Sequence, residues 1–312
     1  MPDALDIIVL GNVTLDVLCY PVDDVPRHAS LRFERSEIQP GGCGSNTAIG
    51  LAALGMHTAL SACVGDDESA VLARRAWQRV GLDTRFVRAI PAAQTGLSVA
   101  LVDRDLQPRF IHTPGANREV TVAALDTDAW HASGARFLHA AGFFLLEGLL
   151  TPDFGARLAD LRARGWRVTL DVALSPNMAH PEPLWAALPY VDVLLCNQRE
   201  ARTLTGESAP QGAAATLKGR GVPAVVVKLG AQGCWLDSPD FQGRIPVPEP
   251  LPQVVDTTGA GDAFCAGFAA GLLRGESLPQ ACETGHRAAV RVVQRFGAVA
   301  GWMPQGGKPT RA

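Results

Sequence analysis

The strongest constraint on this chain is a rhythm. Short, largely apolar runs recur along it, and stretches of helical composition lie between them. Residues 6–11 (Asp-Ile-Ile-Val-Leu-Gly) form the first run, and similar ones recur at Arg167 to Val172, Val191 to Cys196 and Ala224 to Leu229. A strand with no polar face must be covered on both sides, which is the condition of a buried parallel strand. The segments between read as helices. Asn46 to Leu54 is rich in Ala and Leu and closes at Gly55, while Glu68 to Val80 follows Asp66-Asp67, which can cap it, and stops at Gly81. Phe154 to Arg164 ends at Gly165, and Pro279 to Phe296 ends at Gly297. Strand–helix alternation over most of the chain predicts an α/β fold with a mostly parallel sheet and helices on both faces.

Two segments break the rhythm. Leu18 to Ile38 contains Pro21, Pro26 and the polar alternation Leu31-Arg32-Phe33-Glu34-Arg35; Leu97 to His112 alternates likewise, with a turn expected at Asp103-Arg104-Asp105. Half-buried strands joined by turns fit both. They flank the first Gly-rich motif, so an accessory sheet inserted into the main domain is expected rather than two unrelated surface hairpins. The tail from Pro304 to Ala312 is expected to fray.

Composition narrows the function classes. With 312 residues, 47% apolar and 19% charged, the chain has the make-up of an ordinary globular protein. A formal charge of -3 argues against a nucleic-acid footprint. No apolar stretch is long enough to span a bilayer; the nearest, Phe137 to Leu150, contains His139, Gly142, Glu147 and Gly148. The first residues carry acids where a signal peptide would carry Lys or Arg. Seven widely spaced cysteines form no C-x-x-C pair, and seven histidines have no metal-ligand spacing, which gives no case for a transition-metal site. A reducing cytoplasm, with no membrane and no nucleic-acid partner, is the expectation.

Two Gly-rich motifs carry the chemistry. Asp256 to Gly267 reads Asp-Thr-Thr-Gly-Ala-Gly-Asp-Ala-Phe-Cys-Ala-Gly and leads into a small-residue helix. A Gly-rich turn that opens a helix presents unpaired amides and the positive end of a dipole, which is an anion hole. An aspartate at its mouth opposes simple phosphate binding. It makes sense if Asp262 takes a proton from a hydroxyl attacking phosphorus while the amides hold the transferring group. A capping Asp after a tight turn would explain an isolated Gly-x-Gly-Asp equally well. The second motif, Gly41-Gly42-Cys43-Gly44-Ser45-Asn46-Thr47-Ala48, lets backbone approach a ligand, and Asn46 offers a donor and an acceptor to a polyol. Neither a dinucleotide fingerprint nor a Walker P-loop is present, since Gly306-Gly307-Lys308 lacks the spacing.

Together these motifs resemble the ribokinase-like (PfkB) family of carbohydrate kinases over nearly the whole chain. The early block, with Gly55 and Gly65 downstream, resembles that family's first signature, and residues 256–267 its second. The resemblance implies a single ribokinase-like domain over 1–312: a three-layer α/β/α sandwich with a small β-sheet lid inserted at about 17–40 and 95–113. It implies an ATP-dependent phosphotransferase acting on a sugar or sugar-like alcohol, with Asp262 as general base and Gly259, Ala260 and Gly261 as anion hole. By the same resemblance Asp16, Gly41, Gly42 and Asn46 bind the acceptor. Asn197 and Glu200, in an Asn-x-x-Glu element, organise Mg²⁺ and its waters, although a helix's first turn explains Glu200 as simply. Lys228, Gly230 and Gly233 lie beside the nucleotide, and Lys228 could equally be a structural cation. Asp256 and Thr258 resemble positions that help hold a monovalent cation, potassium, in some members, with carbonyls near Gly297 and Ala298. Asp171 either faces the acceptor or caps its strand. The lid would exclude water, and in several relatives lids pair across a homodimer.

The acceptor stays open at this level. A nucleoside kinase of the same fold needs an apolar or aromatic wall, for which the lid offers Phe33, Phe110 and Tyr20. Cys43 and His112 are further candidates for the pocket wall. A non-catalytic sugar or nucleotide sensor is the reading from another class, opposed by the intact Asp262, anion hole and Asn197/Glu200 pair. Hydroxymethylpyrimidine and pyridoxal kinases share the general fold but generally lack the Gly41-Gly42 block and the lid.

Overall fold

The computed structural model describes residues 4–105, 108–248 and 253–303. The expectations for the first three residues and for the tail from Pro304 lie outside the described residues.

From the amino terminus, β1 (Ile7–Gly11) leads into β2 (Thr14–Tyr20) and β3 (Arg35–Gly41), then α1 (Cys43–Ala53). Next come β4 (Thr58–Gly65), α2 (Glu68–Arg79), β5 (Asp83–Ile90), β6 (Gly96–Val102) and β7 (Pro108–Thr113). The middle of the chain supplies α3 (Thr127–Ala132), β8 (Phe137–Ala141), α4 (Pro152–Ala163), β9 (Arg167–Asp171) and α5 (Glu182–Ala187). It continues with β10 (Val193–Asn197), α6 (Gln198–Thr205), α7 (Pro210–Lys218), β11 (Ala224–Lys228), β12 (Cys234–Asp237) and β13 (Gln242–Ile245). Two long helices, α8 (Ala260–Leu273) and α9 (Leu278–Val293), follow.

Among the described residues one sheet has nine strands in the order β13-β12-β11-β10-β9-β8-β1-β4-β5. All pairings from β11 to β5 are parallel; β12 and β13 add an antiparallel edge. Alternate residues of the same strands feed two cores. Ile8, Leu10, Leu138, Leu170, Leu194 and Val225 pack on one face with Leu158 and Leu161 of α4 and Leu217 of α7. Ile7, Val9, Leu195 and Val226 pack on the other with Ile49 of α1, Trp77 of α2, Phe268 of α8 and Val292 of α9. That is the three-layer α/β/α sandwich expected from strands apolar on both faces.

A second sheet, β3-β2-β6-β7, forms the lid. Strand β2 pairs antiparallel with β3 and parallel with β6, and β6 pairs antiparallel with β7. Two expectations change here. The alternation at 31–35 is not strand until Arg35; Leu31 and Phe33 lie in an exposed connection, 41% and 40% accessible, with no facing strand to bury them. Helix α1 starts at Cys43, three residues before the expected start, so Asn46 lies one turn inside it. The turn at Asp103 is as expected, with the Asp105 amide donating to Asp103 Oδ1 (3.0 Å).

The chain moves from β1 outward to β4 and β5, then returns to β8 on the other side of β1. Strand order therefore reverses between β1 and β8. A crevice beyond the carboxyl ends of parallel strands opens at such a point. The lid rises from the end of β1 directly above it.

Candidate active site

Gly11 ends β1 and Gly44 opens α1, and the two backbones touch. A Cβ on Gly44 would lie 2.5 Å from Gly11 C, so side chains at this contact would push the helix off the sheet. The contact fixes Cys43 and Asn46 at the crevice. Gly42 precedes the helix at φ 86°, and a Cβ there would strike Asn12 O at 2.6 Å. A Cβ on Gly41 would overlap the Asp16 carboxylate. The first Gly-rich motif is thus compressed against β2, as its glycines require.

The second motif meets the first across the crevice. Gly259, at φ 76°, is the N-cap of α8, and a Cβ there would lie 2.5 Å from Ala298 Cβ. Ala260 donates its N–H to Thr257 O (3.2 Å), and no side chain caps the helix start. Asp262 does not cap it either, which removes the capped-turn explanation. Its Oδ2 accepts from Asn46 Nδ2 at 2.8 Å, and its carbonyl accepts from Thr47 Oγ1 at 3.4 Å. Residues 216 positions apart therefore form one unit.

Electrostatics mark this unit out. Burial pushes the Asp262 carboxyl from 3.8 to about 6; Asn46's hydrogen bond and the Lys228 charge oppose the rise, and Asp171 repels in its favour. Asp16 is buried (6% accessible) and also raised to about 6, by burial and by the Asp262 charge, against a 2.6 Å hydrogen bond from Thr14 Oγ1. Two carboxyls poised near neutrality in one crevice can accept and release protons at ordinary pH.

Three buried polar atoms beside them have no partner: Asn12 Oδ1, Asn46 Oδ1 and Gln39 Nε2. Unsatisfied groups of this kind are costly unless a ligand or water completes them. Asn12 and Gln39 were not singled out from the sequence. Asn12 follows a strand end like any loop residue, and Gln39 gains meaning only from pairing opposite Asp16 on β2.

Behind the glycine turn that opens α8 lies a buried ion pair. Lys228, at the end of β11, donates to Asp171 at the end of β9 (2.6 Å), and a Cβ on Gly261 would sit 3.5 Å from its Nζ. Burial opposes the ammonium charge, but Asp171, Cys265 and Glu200 hold its pKa well above the usual range. Asp171 therefore faces Lys228. His139 lies below on β8, its Nδ1 2.9 Å from Thr169 Oγ1; burial and the Lys228 charge keep it neutral down to about 3.

Asn197 and Glu200 form a reciprocal capping box on α6. The Asn197 N–H donates to Glu200 Oε2 (2.7 Å), and the Glu200 N–H donates to Asn197 Oδ1 (2.9 Å). Burial raises the Glu200 carboxyl to about 7, with Lys228 pulling it back and Asp171 adding to the rise. The helix-start explanation is therefore part of the truth. Side chains spent on a cap fit an ion held through its waters better than one ligated directly. Among the described residues no group of three or more His, Cys, Asp or Glu side chains is placed to hold a metal.

Gly230 (φ 60°) and Gly233 (φ 93°) line an apolar cavity of about 250 Å³ with Lys228, Phe264, His286 and Val290. It adjoins a more open cleft of about 530 Å³ reaching Asn197 and Arg199. Asp256 is buried and bonded from within: Oδ1 accepts from Thr258 N (2.9 Å) and Thr258 Oγ1 (2.7 Å), and Oδ2 from Gly297 N (2.8 Å). A Cβ on Gly297 would lie 2.5 Å from Gln39 Oε1, so the segment after α9 touches both the turn that opens α8 and the lid. Asn117, unsuspected in the sequence, clamps the lid base, donating to Val13 O (2.7 Å) and accepting from Val13 N (2.8 Å).

Residues 4–305 match the model described as pfkB family carbohydrate kinase. The chain is 30% identical to a ribokinase of Haemophilus influenzae, covering 93% of this chain and 92% of that one. It is 25% identical to an adenosine kinase of Dictyostelium discoideum over 88% and 84% of the two chains. The structure of Arabidopsis thaliana ribokinase complexed with ribose and ATP superposes with a TM-score of 0.80 at 27% identity, over 97% and 96%.

Proposed function

This chain belongs to the pfkB family of carbohydrate kinases, and on that premise we propose that it transfers the γ-phosphoryl group of ATP to a hydroxyl of a sugar or nucleoside. The observation that carries the reading is the Asn46–Asp262 hydrogen bond, which joins a polyol-binding motif to an anion hole around a carboxyl of pKa about 6.

Asp262 takes the acceptor's hydroxyl proton as that oxygen attacks phosphorus and ADP leaves. The amides of Gly259 and Gly261 receive the charge of the transferring group, while Ala260, whose N–H is given to Thr257 O, holds the turn between them, and Lys228 beneath adds a positive field. Asp16 accepts hydrogen bonds from the acceptor's other hydroxyls, with Asn46 and the Gly41-Gly42 backbone as its neighbours. The nucleotide base suits the apolar cavity at Gly230 and Gly233, with its phosphates toward Asn197. Mg²⁺, placed by Asn197 and Glu200 through its waters, would neutralise phosphate charge. Asp256 retains a lone-pair position on Oδ2, enough for one contact to a potassium ion beside Thr258; activity compared in potassium and sodium salts tests this.

We read the chain as one cytoplasmic domain whose inserted lid covers the reacting groups. The lid's outer face exposes Ile38 (59%), Leu97 (38%) and Ile111 (63%), an apolar surface that suits a second copy of the chain. Light scattering on the Ile111→Lys variant tests the homodimer: the mass should halve, and an unchanged mass argues against lid pairing. ADP release with Mg²⁺ and a panel of sugars and nucleosides tests the activity. Tight ligand binding with no acceptor-dependent ADP release would favour a sensor.

A further inference from the structure

The register of the lid fixes which side chains share its inner face. Leu18, Ala100 and Val102 pack on Phe296, and Tyr20 meets the Phe296 ring edge-on at 6.4 Å. Even-numbered positions of β2 and β6 therefore face inward. The pairings Asp16–Gln39, Asp16–Ser98 and Ser98–His112 place Gln39, Asp16, Ser98 and His112 in one row across four strands. Phe110, paired with Ala100, lies two residues from His112 on the same face.

The two halves of this face differ in chemistry. Toward β3 it offers a carboxylate and a buried carboxamide whose Nε2 lacks a partner, which are groups for hydroxyls. Toward β7 it offers a phenyl ring, 49% accessible, beside an exposed imidazole. Tyr20 is committed to Phe296, and Phe33 lies outside the strands, so Phe110 is the aromatic of the three left to face an acceptor. Neighbouring strands are about 4.8 Å apart, so His112 stands about 10 Å from Asp16 across the sheet. That span exceeds a single pentose ring and matches a ribosyl group bearing a flat heterocycle. Stacking on Phe110 and edge hydrogen bonding to His112 are the means by which proteins hold such rings.

We propose that the acceptor is a nucleoside, its ribosyl hydroxyls at Asp16 and its base against Phe110 and His112, and that these two residues select it. The proposal rests on the phosphotransferase reading above. The test measures ADP release from MgATP with adenosine, inosine, cytidine and uridine against ribose and fructose, in wild type, Phe110→Ala, His112→Ala and His112→Gln. At least one nucleoside should exceed ribose about tenfold in kcat/KM. Each alanine change should reduce that ratio about tenfold, chiefly through the nucleoside KM, the size expected for one lost base stack or edge contact. His112→Gln, which keeps a donor and an acceptor, should restore part of it. Turnover of sugars at or above every nucleoside, or a ratio within twofold of wild type in both alanine variants, overturns the proposal and leaves the phosphotransferase standing. No ADP release with any acceptor overturns both.

Discussion

Replacing Asp262 by Asn should make the protein more stable and nearly inactive. The carboxyl has a pKa of about 6 in the fold against an ordinary 3.8, a difference of about 2 units, and each unit is about 1.4 kcal/mol. Its folded pKa is raised, so the fold favours the protonated acid. Ionised Asp262 then costs about 3 kcal/mol at pH 8, and the cost is relieved as pH falls through 6 toward 3.8. Asn has no charge to bury and keeps an oxygen for the 2.8 Å bond from Asn46 Nδ2. With an unfolding entropy of about 2 cal/mol/K per residue, a chain of 312 residues should gain about 5 °C in Tm at pH 8. The gain should shrink to about 2 kcal/mol at pH 5 and below about 1 kcal/mol at pH 4. Loss of the base should lower kcat about 100- to 10,000-fold. Differential scanning fluorimetry across pH reads the first effect and steady-state kinetics the second. An unchanged Tm at pH 8 would refute the electrostatic argument, and kcat within tenfold of wild type would refute the base.

The same carboxyl predicts a pH–rate profile whose kcat/KM falls below about pH 6 as Asp262 protonates; Asp16→Asn, by removing a repelling charge, should move that limb lower, and a profile flat to pH 4.5 would be inconsistent with both. Lys228→Met leaves Asp171 buried without its partner and should cost about 3 kcal/mol in chemical denaturation, much of it recovered in the Lys228→Met/Asp171→Leu double variant. Gly41→Ala sets a methyl onto the Asp16 carboxylate and should raise the acceptor KM at least tenfold with little change in the KM for ATP; equal changes in both would show a general distortion instead. Glu200→Gln should raise the Mg²⁺ concentration needed for half-maximal rate several-fold, read from magnesium titrations at fixed ATP.

The sequence exposes what local chemistry dictates. Strands β1, β10 and β11 each hold three or more adjacent large apolar residues, and β9 follows a clear helix, so these were legible. Strand β4, Thr-Ala-Leu-Ser-Ala-Cys-Val-Gly, is buried at all eight positions yet is built from small and polar residues, so its composition hides it. Strand β8 is hidden likewise by His139, whose burial depends on Thr169 of the adjacent strand. The site divides in the same way. Gly42 and Gly259 betray themselves because positive φ and close backbone approach admit little else. Asn117 acts on Val13, 104 residues away, and Lys228 on Asp171, 57 away; such partnerships exist only after the sheet has ordered its strands. The exposed connection at 31–34 misled because alternation implies a strand only where something waits to bury one face.

Residues 296–298 touch both the lid and the turn that opens α8. Phe296 supports the lid, Gly297 abuts Gln39, and Ala298 abuts Gly259. A ligand that draws the lid down would press on the same short segment that touches the turn opening α8. Linkage then runs both ways: whatever factor the acceptor gains from bound nucleotide, the nucleotide gains from bound acceptor. Three residues just past α9 would thus be the common ledge on which two substrates register each other's presence.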